Sequence, residues 1–148
     1  MSRKICTIGF GKKSLRKFIE LLQRAGVTTL IDARLNNTSQ LAGFAKKDDL
    51  EYIMELVGTK YIHDISLAPT QELMDGYKEK QINWETFTEK YLALLDERGI
   101  DKRVKEIIGE EVPCFLCSEH KPEQCHRSLL AEYIKQHSDM AIQIMHLY

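Results

Sequence analysis

The sequence lacks any long apolar run, and none of its apolar stretches approaches the ~20 residues that a membrane-spanning helix needs. Residues 1–13 contain no apolar segment of the kind found in a secretory signal peptide. Internal repeats and low-complexity segments are missing as well. We therefore expect a cytoplasmic protein with reduced thiols and no membrane contact.

An excess of charge of either sign is also missing, because 21 basic and 22 acidic residues leave a formal net charge of -1. Proteins that coat nucleic acid through its phosphates usually carry a basic excess, so this balance argues against such a role. Basic pairs at 12–13 and 46–47 remain as local candidates, although a solvated surface is the simpler interpretation. A chain of 148 residues with this composition predicts one domain that spans residues 1–148.

Two kinds of pattern alternate along the chain. Short stretches rich in β-branched residues predict strands at 4–8, 27–33, 60–65, 112–117 and 142–147. Apolar residues at helical spacing predict helices around 15–22, 50–57, 84–94, 101–108 and 129–134. This alternation predicts a single three-layer α/β domain, in which helices cover both faces of a mostly parallel sheet.

The polar residues that follow the predicted strands indicate where a site would lie. Ligands of parallel sheets bind outside the carboxyl ends of the strands. The polar or glycine residues at these ends are Gly9, Gly11, Asp32, Arg34, His63, Asp64, Cys117, Ser118 and Glu119. The connections 34–46 and 66–82 exceed the usual ~2–6 residues, which favours a functional role for this edge.

The stretch 114–130, CFLCSEHKPEQCHRSLL, raises the question of a metal site. Cys114 and Cys117 have the C-x-x-C spacing, but side chains three apart on a strand point to opposite faces. A zinc knuckle needs both thiols to converge from a turn. We therefore expect no metal and no cofactor, and we interpret Cys114 and Cys6 as small core residues.

Cys117 differs because it ends its strand, just before a loop and a helix predicted to start near Pro122. A helix N-terminus and a nearby arginine favour the thiolate, which makes Cys117 a candidate nucleophile. The alternative is a half-buried thiol beneath the loop. Nine residues separate Cys117 from Arg127, too many for a thiol-phosphatase signature, and rhodanese-like sulfur transfer remains only an analogy.

The remaining candidates are charged or lie in a glycine-rich turn. Arg127 near a helix start is unfavourable for the helix dipole, so we expect it to contact an anion or a carboxylate. Asp32 and Arg34 share one side of their strand and form either an ion pair or a charged floor for a ligand. His126 faces the sheet, where a structural hydrogen bond to a strand end competes with a catalytic role. The turn 8–11, IGFG, could admit a phosphate or simply turn tightly.

With these residues identified, the chain resembles the domain-of-unknown-function 488 family. The resemblance runs in order through TIGFGKKSLRKFIELL, IDAR, YIH, WETFTEKYLALL and LCSEHKPEQCHRSLLAEYI. The Cys, Glu, Cys, His and Arg of the family's most specific element correspond to Cys117, Glu119, Cys125, His126 and Arg127. Phe10 and Gly11 replace polar residues of the family's first turn, which favours backbone contact there. The resemblance implies an α/β domain with a polar site at the carboxyl edge and supplies no reaction.

Together these patterns favour an enzyme that acts on an anionic substrate, such as a nucleotide or a nucleic-acid end. The predicted roles are substrate binding by Arg34, Arg127, Gly9, Gly11 and Ser118, catalysis by Cys117, Glu119 and Asp32, and support by Cys125 and His126. One alternative is a non-catalytic nucleotide or nucleic-acid binding module that uses the same pocket. Another is a polar cluster that only ties loops to the sheet, in a protein that acts through a partner.

Overall fold

The computed structural model describes residues 2–35, 46–117 and 125–148. In these ranges the strands are β1 (Ser2–Gly9), β2 (Thr29–Asp32), β3 (Lys60–His63), β4 (Pro113–Cys117) and β5 (Ala141–Leu147). The α-helices are α1 (Leu15–Arg24), α2 (Lys47–Leu56), α3 (Gln71–Lys78), α4 (Trp84–Glu97), α5 (Val104–Ile108) and α6 (His126–Gln136). Short 3-10 helices lie at Ile65–Leu67 and Ile100–Arg103. The predicted alternation of strands and helices is confirmed.

The strands form one sheet in the order β3-β2-β4-β1-β5, and every neighbouring pair is parallel. Phe18 of α1 and Met54 of α2 pack into an apolar cluster on one face. Leu73 of α3, Tyr91 of α4 and Leu130 of α6 pack into a second cluster on the other face. From β1 to β2 to β3 the chain moves toward one edge of the sheet, and from β3 to β4 to β5 it moves toward the other. Because each crossover is right-handed, the helices of the first two connections lie on one face and those of the last two on the opposite face. The three-layer α/β prediction is confirmed.

β4 lies near the middle of the sheet, and all five of its residues are buried. Phe115 packs into the cluster beneath α4 and α6, whereas Cys114 and Leu116 pack into the cluster beneath α1 and α2. A strand covered on both faces needs apolar side chains on both, which explains the unbroken apolar run PCFLC. Cys117 therefore lies at the carboxyl edge of the sheet, at the end of a strand whose residues are all buried.

Local signals explain where the first helix begins and ends. The Ser14 hydroxyl accepts the N–H of Lys17 at 3.1 Å, which satisfies one of the free donors at the start of α1. Gly26 follows the helix at φ 73°, in the left-handed region where a side chain is disfavoured. Both features agree with the sequence prediction for this helix.

The structure corrects the sequence predictions at three places: a connection, a helix and a helix start. The connection 66–82 contains helix α3, which begins after Thr70, whose hydroxyl accepts the N–H of Leu73 at 3.1 Å. The predicted helix 101–108 is a 3-10 turn followed by α5, because Arg103 is not in helical geometry. α6 begins at His126 and not near Pro122, since Cys125 is extended at φ -126° and ψ 137°. Pro122 itself lies outside the described residues.

The fold brings three strand ends to one place. Gly9 of β1 is in register with Cys117 of β4, and Leu116 is in register with Asp32 of β2. The carboxyl ends of β1, β4 and β2 therefore lie side by side at one edge of the sheet. Within the ranges that the structure covers, no helix has the length and apolar character needed to cross a membrane.

Candidate functional site

The carboxyl end of β4 is a switch point of the sheet. The chain that leaves β4 continues to α6 on one face, whereas β1 and β2 on either side lead to α1 and α2 on the opposite face. Diverging connections open a crevice where ligands of α/β sheets bind. Gly9 lies beside Cys117 without a side chain, and the Phe10 N–H donates to the Cys117 carbonyl at 3.3 Å. Cys117 thus stands at the centre of the expected crevice.

Asp32 and Arg34 form a buried ion pair at the end of β2. Arg34 donates from Nε to Oδ1 and from Nη2 to Oδ2 of Asp32, both at 2.8 Å. The Asp32 side chain is fully buried and that of Arg34 is 4% exposed. The Tyr61 hydroxyl also donates to Asp32 Oδ2 at 2.5 Å. The ion-pair alternative from the sequence is therefore what the structure shows, while contact with a ligand remains a prediction.

The environment of Asp32 fixes its charge. Burial alone would raise the pKa of the Asp32 carboxyl, but the hydrogen bonds and charge of Arg34, together with the Tyr61 hydroxyl, hold that pKa below its ordinary value. Asp32 is therefore ionised at neutral pH. A carboxylate in this state orients an arginine well and has no proton to donate, which bears on its predicted catalytic role.

Two neighbours orient Arg34 further. Its guanidinium carbon lies 5.2 Å from the centre of the Phe10 ring, a cation–π distance. His63 Nε2 lies 2.8 Å from the Arg34 carbonyl oxygen and donates to it. Phe10 and Tyr61 were not among the sequence-predicted site residues. Exposed and half-buried residues alternate along β3. Side chains on a strand alternate between its two faces, so this alternation could have predicted that Tyr61 and His63 share the less exposed face.

Cys117 and Cys125 are joined as a disulfide, and their Cα atoms are 7.8 Å apart. Both are buried, with Cys117 at the end of β4 and Cys125 directly before α6. The two sulfur atoms meet because the end of β4 and the start of α6 lie at the same edge of the sheet. The expectation that the thiols are reduced in the cell stays a prediction. Cys6 and Cys114 lie in the apolar cluster of the other face, where burial raises the pKa of both thiols. Their predicted core role is confirmed.

Arg127 is the largest fully buried side chain among the described residues. Its Nη1 atom lies 3.7 Å from the Cys117 sulfur and donates to it. A buried guanidinium stays charged at every physiological pH, so it favours negative charge on any group beside it. The sequence predicted that Arg127 contacts an anionic group, and the structure directs this guanidinium toward a sulfur atom.

His126 is fixed to the end of β2. Its Nε2 lies 3.0 Å from the Ala33 carbonyl, which only accepts, so Nε2 carries the hydrogen and Nδ1 carries the lone pair of the neutral ring. The ring also meets Tyr91 edge-on, with centroids 5.7 Å apart. Loss of hydration, assisted by the charge of Arg127, lowers the pKa of His126 to about 4. The ring is therefore neutral near pH 7, consistent with the predicted supporting role.

The charge of Lys13, which the sequence interpretation assigned to solvated surface, interacts with that of Arg127. Burial, together with the charges of Arg127 and then Lys17, lowers the pKa of Lys13 to about 8. A second cation thus lies within electrostatic reach of Arg127 in the turn that follows β1. The basic pair at 12–13, directly after a strand end, was the signal that could have identified it.

The described residues unite part of the predicted site. Gly9, Cys117, Cys125, His126 and Arg127 surround the end of β4, and Asp32 with Arg34 lies next to them on β2. Gly11 lies half-buried in the turn that leads to Lys13. Ser118 and Glu119 lie outside the described residues. The catalytic and binding roles of all these residues remain predictions.

One set of side chains at this site could hold a metal ion. A sulfur from Cys117, a sulfur from Cys125 and a ring nitrogen from His126 all lie within 4.8 Å of one another. Cys114 is not part of this set, because it packs on the opposite face of β4. Two thiolates and an imidazole are ligands that zinc prefers.

Replacing Asp32 by Asn should lower the free energy of unfolding by about 3–5 kcal/mol at pH 7, because Arg34 would stay buried beside a neutral amide. Since the pKa of Asp32 is lowered in the folded state, its contribution is complete above the unfolded pKa of about 3.9 and is lost as the pH falls further. In urea unfolding, the difference in stability between the two proteins should therefore be smaller at pH 3 than at pH 7. Asp139→Asn, an exposed carboxylate before β5, is the control. Equal stability of Asp32→Asn and wild type at pH 7 would contradict the account.

The comparisons with known proteins identify a family for the chain. No curated protein and no solved structure matches the chain. The model of one family, described as domain of unknown function DUF488, matches residues 14–134, which include β2, β4 and all but the last two residues of α6. Gly9, Phe10, Gly11 and Lys13 lie before the matched range. The chain belongs to the DUF488 family.

Proposed function

We propose that this chain is an enzyme that acts on an anionic substrate, such as a nucleotide or a nucleic-acid end, at the carboxyl end of β4. The observation that carries the proposal is the contact between the buried Arg127 guanidinium and the Cys117 sulfur at the switch point of the sheet. This arrangement combines fixed positive charge, a sulfur atom with thiolate character once reduced, and a crevice-forming topology.

Positive charge is concentrated at this point although the whole chain is almost neutral. Arg127 and Lys13 are close enough for the charge of one to lower the pKa of the other. A bound phosphate or carboxylate at this point would be attracted by both charges. Arg34 adds a third cation, held at the neighbouring strand end by Asp32. Such a cluster supports recognition of an anionic group.

Cys117 is the proposed reaction centre. In the reduced protein, Arg127 stabilises its thiolate, and the α6 N-terminus adds partial positive charge nearby. Gly9 leaves the adjacent position on β1 without a side chain. His126, neutral near pH 7, and Asp32, ionised at that pH, serve in this proposal as positioning residues for the strand ends and for Arg34.

A non-catalytic binding module is the second candidate. The pKa values of Asp32 and His126 support this candidate, because both lie well below neutrality. A general acid or base works best with a pKa near the working pH, so neither residue suits proton transfer at pH 7. The two candidates share the anion site and differ in whether a bound ligand is converted.

Anion recognition can be tested with a ligand panel of inorganic phosphate, nucleoside mono-, di- and triphosphates and a 5′-phosphorylated oligonucleotide. We expect at least one of them to raise the melting temperature of the reduced protein. Lys13→Met should lower the affinity for that ligand by about tenfold, because one charge-assisted contact is lost. Lys12→Met removes the exposed neighbouring charge and should leave the affinity near wild type. Absence of any stabilising ligand, or equal losses in the two variants, would contradict the anion site.

Conversion of the ligand separates an enzyme from a binding module. Mass spectrometry of the best ligand after incubation with reduced wild-type protein should reveal a product. Cys117→Ala should abolish product formation while thermal stabilisation by the ligand persists, whereas Cys114→Ala, in the opposite core, should remain active. Product formation by Cys117→Ala at the wild-type rate would overturn the role of Cys117. An unchanged ligand with wild-type protein would favour the binding module.

A further inference from the structure

We propose that, in the reduced protein, Cys117, Cys125 and His126 bind one zinc ion through two thiolates and one imidazole nitrogen. The inference adds a cofactor to the proposed reaction centre, and Cys117 then acts as a ligand while the ion becomes the electrophilic centre. Only the identity of the substrate rests on the proposed function, because metal binding is measured in the absence of substrate. It also departs from the sequence expectation of no metal, which considered Cys114 as the partner of Cys117.

The spacing of the three ligand atoms carries the proposal. They all lie within 4.8 Å of one another, and a tetrahedral zinc with Zn–S of about 2.3 Å and Zn–N of about 2.0–2.1 Å separates its ligand atoms by roughly 3.5–3.8 Å. The Cα atoms of Cys117 and Cys125 are 7.8 Å apart, beyond the range of about 4.4–6.8 Å usual for disulfides. An ion between two sulfurs spans a longer Cα separation than a direct bond, so the backbone suits a shared ion.

The partners around these ligands provide a second, independent observation. Protein-bound zinc usually has histidine ligands whose other ring nitrogen donates to a carbonyl or a carboxylate. His126 meets this requirement, since Nε2 donates to the Ala33 carbonyl at 3.0 Å and Nδ1 carries the lone pair. Arg127 Nη1 donates to the Cys117 sulfur at 3.7 Å, as outer-sphere donors do toward metal-bound thiolates. Two of the three ligands are therefore already oriented.

The ligand set also indicates the kind of ion and of site. Thiolate and imidazole together select zinc over magnesium or calcium, which prefer oxygen ligands. Structural zinc sites normally have four protein ligands, whereas catalytic sites have three and keep one position for water or substrate. The described residues supply three. Arg127 contacts the sulfur of the Cys117 ligand, so its charge would favour an anionic substrate near the ion.

Binding is linked to the redox state and to proton release. The ion binds both sulfurs as thiolates, so a thiol that still carries its proton releases it to solvent, and the His126 imidazole binds as the neutral ring without losing a proton. Oxidation of the two sulfurs to the disulfide removes both thiolate ligands. Zinc binding should therefore occur with the reduced form and not with the oxidised form of the same protein.

The test uses full-length protein that has been reduced with a phosphine, freed of metal and kept without oxygen. Titration with Co²⁺ should give a thiolate-to-cobalt charge-transfer band and tetrahedral d–d bands that saturate at one equivalent, and Zn²⁺ should bleach them. Cys117→Ser, Cys125→Ser and His126→Gln should each weaken Zn²⁺ binding by about 100-fold or more in competition with a chromophoric chelator. Cys114→Ala should bind as wild type does.

A measurement on the wild-type protein keeps the proposal testable if a variant fails to fold. Zn²⁺ should protect Cys117 and Cys125 from maleimide labelling, mapped by mass spectrometry, without changing the labelling of Cys6 and Cys114. No saturable Co²⁺ spectrum, binding that survives the Cys117→Ser/Cys125→Ser double variant, or equal binding by the oxidised protein would each overturn the proposal. If zinc binds but no ligand of the panel stabilises the protein, the metal site is upheld and only the proposed function is contradicted.

Discussion

The site depends on a positive charge buried at the junction of β4 and α6. Arg127 cannot lose its proton under physiological conditions, and a charge removed from water must be balanced by nearby polar or negative groups. The second residue of α6 carries this guanidinium to the sulfur at the end of the central strand, 3.7 Å away. The pairing makes negative charge favourable at the carboxyl end of β4, whether on a thiolate, a substrate or both. It also ties the helix that follows the strand to the strand itself.

The sheet determines which groups join Arg127. Because β4 lies between β1 and β2, its end is flanked by a glycine on one side and by the Asp32–Arg34 pair on the other. The bidentate geometry of that pair keeps Arg34 in one orientation, and Tyr61 on β3 supports the same carboxylate. Hydrogen bonds from Tyr61 and His63 therefore tie β3 to the Asp32–Arg34 segment at the end of β2. Rigid strands hold each group, which suits a site that must keep like charges close together.

The sequence allowed the elements and the location of the site to be predicted, because both follow from local patterns. The β-branched runs, the apolar residues at helical spacing and the polar strand ends each involve residues near one another in the chain. The unpredicted features arise from long-range pairing. The order of the strands places residue 9 beside residue 117, and only that order brings Lys13 near Arg127. The meeting of Cys117 and Cys125 depends on where the strand ends and the helix begins, which one-dimensional spacing does not contain. Helix α3 escaped prediction because its apolar pattern is short and follows a 3-10 turn.

The most direct test of the anion site is the pH dependence of anion affinity in the reduced protein. Calorimetric titration of the best ligand of the panel from about pH 7 to about pH 9.5 avoids the phosphate ionisation near pH 6. We predict that the affinity of the wild type falls as the pH rises through about 8, where Lys13 loses its proton, and that Lys13→Met binds more weakly with a flat profile. A wild-type profile that stays flat across this range, or one that Lys13→Met reproduces, would contradict the claim that Lys13 and Arg127 form an anion site at the end of β4.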